Sequence, residues 1–524
     1  MIFLLLGKNS IWYDIFIRMH RVKRHTALIL FLLVVIVGFA LSPRIGPSWD
    51  EPDNMYSGGV YVNFFSHGFD PAYFTNLTDE ASAYGKRIFP NDRMLAHLPP
   101  VHNYVGVLIV LAAQVLHIPL TAEVIIVSWH LATVLFFALM VAMTYRFGLL
   151  LGVSHSSSLF AGFAVFLYPQ LFGHGLSNSK DIAQTAMVVT SLYYLVKKNL
   201  FFGAVLWGLG MATKFNAIYV PIIWGLSGIS GIRGIKQWII VVCIGLFTAF
   251  LVWPYLWFDT IHRILEVVQY FTTVGQGYRV VWDGMWYNVG SGIPLWWYPQ
   301  ASFLYTTPLL LLALFFFGFG ILVRYRAQKP AWIILPIWIG IPLIRTLSPW
   351  SAFYDLLRHF LEIVPAVMLV AALGLEWFFQ KKQHLFFTGI MLGSIIIGQM
   401  IYINATLFPY STGYYNVLAR NPNVNFDRDI EALSVKEAME YVRTTLGNVR
   451  VFCTLGGHQS WYYLEPGLRY VFTPNEADVV VVVNKASHRM TPDHSPDMLS
   501  EFTLVHEICR GDAVFAWVYR RDPQ

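Results

Sequence analysis

Charge and cysteine are scarce in this sequence. Only 13% of the 524 residues are Asp, Glu, Lys or Arg, while 56% are hydrophobic and 16% aromatic. A soluble globular protein carries roughly 25% charged residues, so a wholly water-soluble fold is excluded. Three cysteines, Cys243, Cys453 and Cys509, are too few for a disulfide framework, and they have no metal-type spacing. Cys243 lies in an apolar run and reads as a small buried residue, whereas Cys453 and Cys509 pair only in an oxidising compartment. No nucleotide-type glycine loop is present, since Gly456-Gly457 is a turn signal alone, and no nucleotide cofactor is expected. The net charge of +6 comes without a basic stripe interleaved with aromatics, so no nucleic-acid partner is expected.

What is abundant is apolar sequence in long runs. Runs of about 15 to 25 residues recur through 26–405, each long enough to cross a bilayer, whereas 406–524 has an ordinary globular composition. The fold class is a polytopic all-α membrane protein of about 11 transmembrane helices with a small C-terminal α/β soluble domain. Residues 1–25 lack a cleavage site and read as a cytoplasmic, interfacial segment, with Arg18, Arg21, Lys23 and Arg24 directly before the first span. The expected spans are 25–41, 121–145, 156–175, 182–196, 200–212, 215–229, 237–257, 303–323, 332–344, 359–379 and 385–405. The short pair 200–212 and 215–229 suits a broken or tilted hairpin. With Arg146, Lys197-Lys198, Arg233 and Lys236, Arg324 to Lys329, and Lys381-Lys382 inside, the positive-inside rule gives an inside N-terminus and an extracytoplasmic C-terminal domain in the plasma (inner) membrane.

The apolar stretch 101–116 would invert every later loop if it crossed, so it is assigned to the outer interface. A second topology makes it a crossing and fuses 200–229 into one span, at the cost of exposing Arg146 and Lys197-Lys198. The outer loops 42–121 and 258–302 are rich in aromatics. Trp282, Trp286, Tyr287, Trp296, Trp297 and Tyr298 suit an interfacial lid able to stack on sugar faces, or a plain aromatic belt. In the soluble domain, Ser434 and Glu437 form a capping-box signature before a helix, and strands are expected at 449–452, 470–473, 479–483 and 514–519. No catalytic signature stands out in that domain.

The sharpest polar feature is Trp49-Asp50-Glu51-Pro52, just after the first span. Neighbouring side chains on a helix diverge by about 100°, so the two acids cannot serve one small group as equivalents. One acid facing a membrane cavity, or both merely capping a surface helix ahead of Pro52, are the two readings. Asp181 within Ser177-Asn-Ser-Lys180-Asp181, Lys214, and the polar stretch Tyr354-Asp355-Leu-Leu-Arg358-His359 fall on the same outer face. Charges at that level usually mark a site, although an isolated Arg358 or Lys180 also reads as an interfacial anchor.

The ordered set Asp50-Glu51, His97-Leu-Pro99-Pro100-Val-His102-Asn-Tyr104, Ser179-Lys180-Asp181, Gly208-Leu-Gly-Met-Ala-Thr-Lys214 and Arg358-His359 resembles the GT-C membrane glycosyltransferases. The closest resemblance is to their phospholipid-carrier-dependent branch, related to protein O-mannosyltransferases and aminoarabinose transferases (glycosyltransferase family 39-like). It is supported by Phe408-Pro-Tyr-Ser-Thr-Gly-Tyr-Tyr-Asn416. The resemblance implies inverting transfer of a sugar from a polyprenyl-phosphate donor in the bilayer to a lipid, glycan or protein acceptor at the outer face. It makes Asp50 the general base, Asp181 a second acid and Glu51 a third catalytic candidate. Lys180, Lys214 and Arg358 become the phosphate cradle, with His97, His102 and His359 as further substrate-binding candidates. A lipid phosphate neutralised by cations leaves without a general acid, so one base suffices. Where the aminoarabinose branch has an acid-lysine pair before Pro-Pro, this chain has His97 and Leu98. Metal dependence is left open. The competing functional class is a transporter or lipid flippase, against which stand the missing internal repeat and the polar residues gathered at one face; a structural assembly protein leaves the acids idle.

Overall fold

A computed structural model describes residues 11–74, 98–228, 234–381, 383–464, 466–488 and 497–523, with side chains from residue 25 onward. His97, Arg233 and Lys382 lie outside the described residues, as do the side chains of Arg18, Arg21, Lys23 and Arg24. Among the described residues six helices are long and apolar enough to cross a membrane, or seven when the bent pair His155–Leu167 and Pro169–Ser177 counts as one span. Four shorter apolar helices accompany them, Val101–Val115, Leu200–Met211, Phe215–Leu226 and Leu309–Tyr325. The chain is a multi-pass membrane protein.

Several expected spans are broken, and for local reasons. Pro169 has no N–H and obstructs the preceding turn, so 156–175 bends by 60° between Leu167 and Pro169. The carbonyl of Leu167 left without a helical partner accepts from Asn404 Nδ2 at 2.7 Å, as a break at membrane depth requires. Pro308 splits 303–323 into Tyr298–Thr306 and Leu309–Tyr325. The 200–229 region is two short helices joined by a 3₁₀ turn at Phe215–Ile218, the expected broken pair. Helix Ile11–Leu41 runs on through the first span without a break at residue 25.

Among the longer described helices, Ser179–Val196 and the one entered at Arg358, Val364–Phe379, are deeply packed. Backbones come close at Gly318 of Leu309–Tyr325, where an added Cβ would strike the carbonyl oxygen of Val370. Such small-residue crossings drive helix association in lipid. Gly318→Val is therefore expected to lower the thermal midpoint and the yield of detergent-purified protein, and a wild-type melt would contradict this packing account.

Val101–Val115 is a helix of 15 residues. The N–H of Val101 bonds the Ala212 carbonyl at 3.0 Å, and the helix leads by a short turn to Ala122–Leu150. That helix begins beside the soluble domain, where Glu123 and Lys436 line one crevice. Both ends of Val101–Val115 thus lie on the soluble-domain side. Arg146 and Lys197 instead meet over the ring of Tyr193, about 20 Å along its helix from Asp181.

The C-terminal domain holds a five-stranded sheet, ordered β4-β3-β5-β7-β6. Its strands are β3 (Arg450–Cys453), β4 (Arg469–Tyr470), β5 (Val479–Val483), β6 (Phe502–Arg510) and β7 (Ala513–Arg521). β1 (Arg279–Trp282) and β2 (Met285–Asn288) form a separate hairpin in the 258–302 loop. Strand β6 escaped the sequence reading because it is an edge strand whose side chains are largely exposed, which removes the apolar alternation on which strand assignment rests. Cys453 and Cys509 are both free. They stand on β3 and β6, three strand spacings or about 14 Å apart, beyond the reach of a disulfide. Cys243 is exposed on the outside of the bundle, not buried as expected.

The capping box is replaced by another device. Ser434 makes no side-chain cap; Asp429 accepts from the N–H groups of Leu433 and Ser434 at 3.0 and 2.8 Å. Glu437 instead pairs with Arg510 at 2.5 Å. The aromatic loop packs inward. Trp282 meets Trp297, Tyr298, Tyr305 and Phe426 edge-on, and the Gly284 N–H bonds the Asn425 carbonyl at 3.1 Å. Trp282 thereby clamps the loop to the entry of the soluble domain, while Trp296 remains exposed.

Candidate active site

The site forms where three interruptions of the helical bundle meet. The first is the turn after the opening span, which ends in Asp50 at the N-terminus of helix Glu51–Ser66. Gln459 Nε2 holds the carbonyl of Pro47 at 2.6 Å, and the ring of His458 lies 2.8 Å from the Trp49 carbonyl oxygen. The soluble domain thus fixes the approach to Asp50. The second is the bent pair, whose lower arm carries His174 and ends at Asn178. Asn178 caps the next helix by accepting from Asp181 N–H at 3.1 Å, and its amide donates to Asp181 Oδ2 at 2.9 Å. The third precedes Arg358. Asp355 and Leu356 both have positive φ, 56° and 59°, which is costly for a leucine and gathers at functional sites. Tyr298 holds this turn by accepting from Leu356 N–H at 3.0 Å.

Arg358 is the hub. Its Nη2 bonds Asp50 Oδ2, Nε bonds Asp181 Oδ2 at 3.1 Å, and Nη1 bonds Asp355 Oδ2 at 3.1 Å. Lys180 Nζ meets the same Asp50 oxygen at 2.9 Å, and Lys214 Nζ meets Asp181 Oδ1 at 2.5 Å. Two residues of the soluble domain complete the network. Glu431 Oε1 lies 3.4 Å from Arg358 Nε, and Lys485 Nζ lies 2.8 Å from Asp355 Oδ1. Exposure divides the acids: the Asp50 side chain is 22% exposed and its partner Lys180 19%, against 1% for Asp181 and 3% for Asp355. Asp50 is the acid at the mouth. Burial pushes its pKa up, but Arg358 and then Lys180 outweigh burial and hold it well below the usual carboxylate range.

Glu51 faces elsewhere. It is fully buried, 3.0 Å from His130 Nε2 and 2.7 Å from the N–H of Ser48. Burial raises its pKa against the opposing pull of His130. Consecutive acids therefore split, one toward the opening and one into the bundle. Removing a partner from such a buried pair leaves a polar group unsatisfied, at a cost of about 1–3 kcal/mol. Glu51→Ala is accordingly expected to lower the melting midpoint, with Glu51→Gln closer to wild type; equal melts for all three proteins would refute a structural role.

Of the candidate histidines, His102 and His359 stand at the edge of the network. His102 Nε2 is 3.1 Å from Asn54 Oδ1, and the ring of His359 packs edge-on against Tyr354 at 4.5 Å. Neither enters an ion pair. Among the described residues no group of His, Cys, Asp and Glu is arranged to hold a metal ion. Asp355 belongs to the polar stretch before His359 that the sequence places on the outer face, whereas His174, Glu431 and Lys485 were absent from the sequence candidates. Two signals were available for the soluble-domain pair. Asp427, Asp429 and Glu431 recur at every second position, interleaved with Arg428 and Ile430, in the segment after the last span, and Lys485 follows the end of a fully buried strand, where α/β sites commonly form.

A bundle of apolar helices interrupted at one charged centre and roofed by a small α/β domain defines the class to which this membrane protein belongs. No protein-family model matches the sequence, and no curated protein sequence does. Among solved structures it is similar to ArnT from Cupriavidus metallidurans in the apo state, with a TM-score of 0.53 at 13% identity, covering 95% of this chain and 99% of that one. The structure of the same protein bound to undecaprenyl phosphate matches with a TM-score of 0.50 at 13% identity and the same coverage. The likeness establishes the fold.

Proposed function

We propose that the chain is an inverting glycosyltransferase that moves a sugar from a polyprenyl-phosphate carrier to an acceptor hydroxyl at the outer face of the membrane. The observation that carries this reading is Asp50, an accessible carboxylate at the edge of a buried cation cluster and in contact with Lys180 and Arg358. The fold shared with a structure bound to undecaprenyl phosphate agrees with it.

In this reaction the carrier phosphate enters from the bilayer and draws Lys180 and Arg358 onto its oxygens, with Lys214 behind them. Charge-assisted and bidentate contacts of this kind are the strong ones. Asp50, which those cations held as a very weak base, regains basicity as they turn to phosphate. The acceptor O–H proton passes to Asp50, the acceptor oxygen bonds the anomeric carbon from the face opposite the phosphate, and the C–O bond to phosphate breaks. The electron pair leaves on the carrier, where the cations stabilise it. Inversion follows from one displacement. The test supplies the purified protein with a polyprenyl-phosphate sugar and envelope acceptors and follows glycoconjugate mass; sugar counterflow in proteoliposomes without transfer would identify a transporter instead.

A further inference from the structure

We propose that Glu431 of the soluble domain is a positioning residue of the transfer site, kept as a neutral carboxylic acid so that the site retains one unbalanced positive charge for the carrier phosphate. This rests on the transferase reading above. Glu431 reaches down between three membrane elements. Its Oε1 lies 3.4 Å from Arg358 Nε, from His174 Nδ1 and from Asn178 Nδ2. Its Oε2 is buried without a hydrogen-bond partner among the described residues. An ionised carboxylate keeps about four acceptor sites filled; here three long contacts fall on one oxygen and none on the other. Leaving such a charge unsolvated is expensive, and the group retains its proton instead.

The surroundings point the same way. Asp50 and Asp355 face Glu431 along with Arg358, and Lys485 lies beyond Asp355. Burial, opposed by Arg358 and reinforced by Asp50 and Asp355, pushes its carboxyl up to about 8. With Glu431 neutral, the direct ion pairs join four cations (Lys180, Lys214, Arg358, Lys485) to three carboxylates (Asp50, Asp181, Asp355), an excess of one positive charge within that network, with Asp427 facing Lys485 from outside it. Ionising Glu431 cancels that excess and pulls Arg358 Nε away from Asp181. The C-terminal domain therefore sets the charge of a site built mainly by the membrane helices. Its second contribution, Lys485 on Asp355, keeps the strained turn before Arg358 neutral.

The test measures binding of undecaprenyl phosphate to the full-length protein in detergent between about pH 6.5 and 9.5. Relative to Glu431→Gln, in which the carrier phosphate ionises equally, wild type is expected to lose roughly tenfold in affinity through pH 8. Asp53, beside Asp50, is also pushed up to about 8, by burial and then by Asp50, so Asp53→Asn is the control and keeps the wild-type fall. A fall as large in Glu431→Gln as in wild type and reduced in Asp53→Asn overturns the proposal. Infrared difference titration supplies a readout independent of the transferase reading. A protonated carboxylic acid band present at neutral pH in wild type and missing in Glu431→Gln supports the neutral acid even if the carrier fails to bind, and identical spectra refute it.

Discussion

Asp50→Asn is expected to abolish sugar transfer while leaving protein level and melting behaviour near wild type. A general base in the displacement contributes about 10²–10⁴-fold, and asparagine keeps the shape of aspartate while losing the ability to take a proton. The side chain is partly exposed and faces two cations, so its loss costs little packing. Carrier binding gives a second readout. Without the carboxylate, Lys180 and Arg358 no longer have to leave a counter-charge when phosphate arrives, and Asp50→Asn should bind undecaprenyl phosphate at least as tightly as wild type. Full transfer activity in this variant would remove Asp50 as the base; weaker carrier binding would remove the competition between phosphate and Asp50 for the same cations.

Arg358→Leu should have the largest effect on stability. Arg358 contacts Asp50, Asp181, Asp355 and Glu431, and is itself 5% exposed. Its removal leaves buried carboxylates with too little positive charge. Breaking one buried pair by deleting a partner costs about 3–5 kcal/mol, a large share of the stability of a typical domain. Low yield, aggregation in detergent or a steep drop in melting midpoint is the expected result. Arg358→Lys should recover more stability than activity. It restores the charge, but a lysine ammonium cannot reproduce the planar fork that reaches three acids at once. A wild-type melt for Arg358→Leu would show that the network is not needed to hold the fold.

The sequence and the structure agree most closely where a residue's role follows from its neighbours along the chain. Pro169 and Pro308 each interrupt an apolar run by such a local rule, one that the expected spans 156–175 and 303–323 passed over. The valine run of β5 lies where strand propensity puts it. The hairpin of β1 and β2 has a local signal in Asp283-Gly284, both at positive φ, as a two-residue hairpin turn demands; the tryptophans around it suit a lid or a plain aromatic belt and give no strand signal. Ser434 and Glu437 are a counterexample. Their spacing satisfies the capping box, yet Asp429 reached the free N–H groups and Arg510 took Glu437. Local motifs compete with distant partners that the chain order does not reveal.

Membership in the bilayer, the change of composition near residue 406 and the candidacy of Asp50, Asp181, Lys214 and Arg358 were read from the sequence alone. Hydrophobicity and the placement of charge are properties of composition along the chain, and the membrane acts on them directly. Which of two adjacent acids opens outward was decided only by the tertiary structure, through His130, a partner 79 residues away from Glu51. So was the entry of Glu431 and Lys485 into a site that otherwise belongs to the helices. Ion pairs in a low-dielectric interior act over a few ångströms of space whatever the distance along the chain, and only folding brings those few ångströms about.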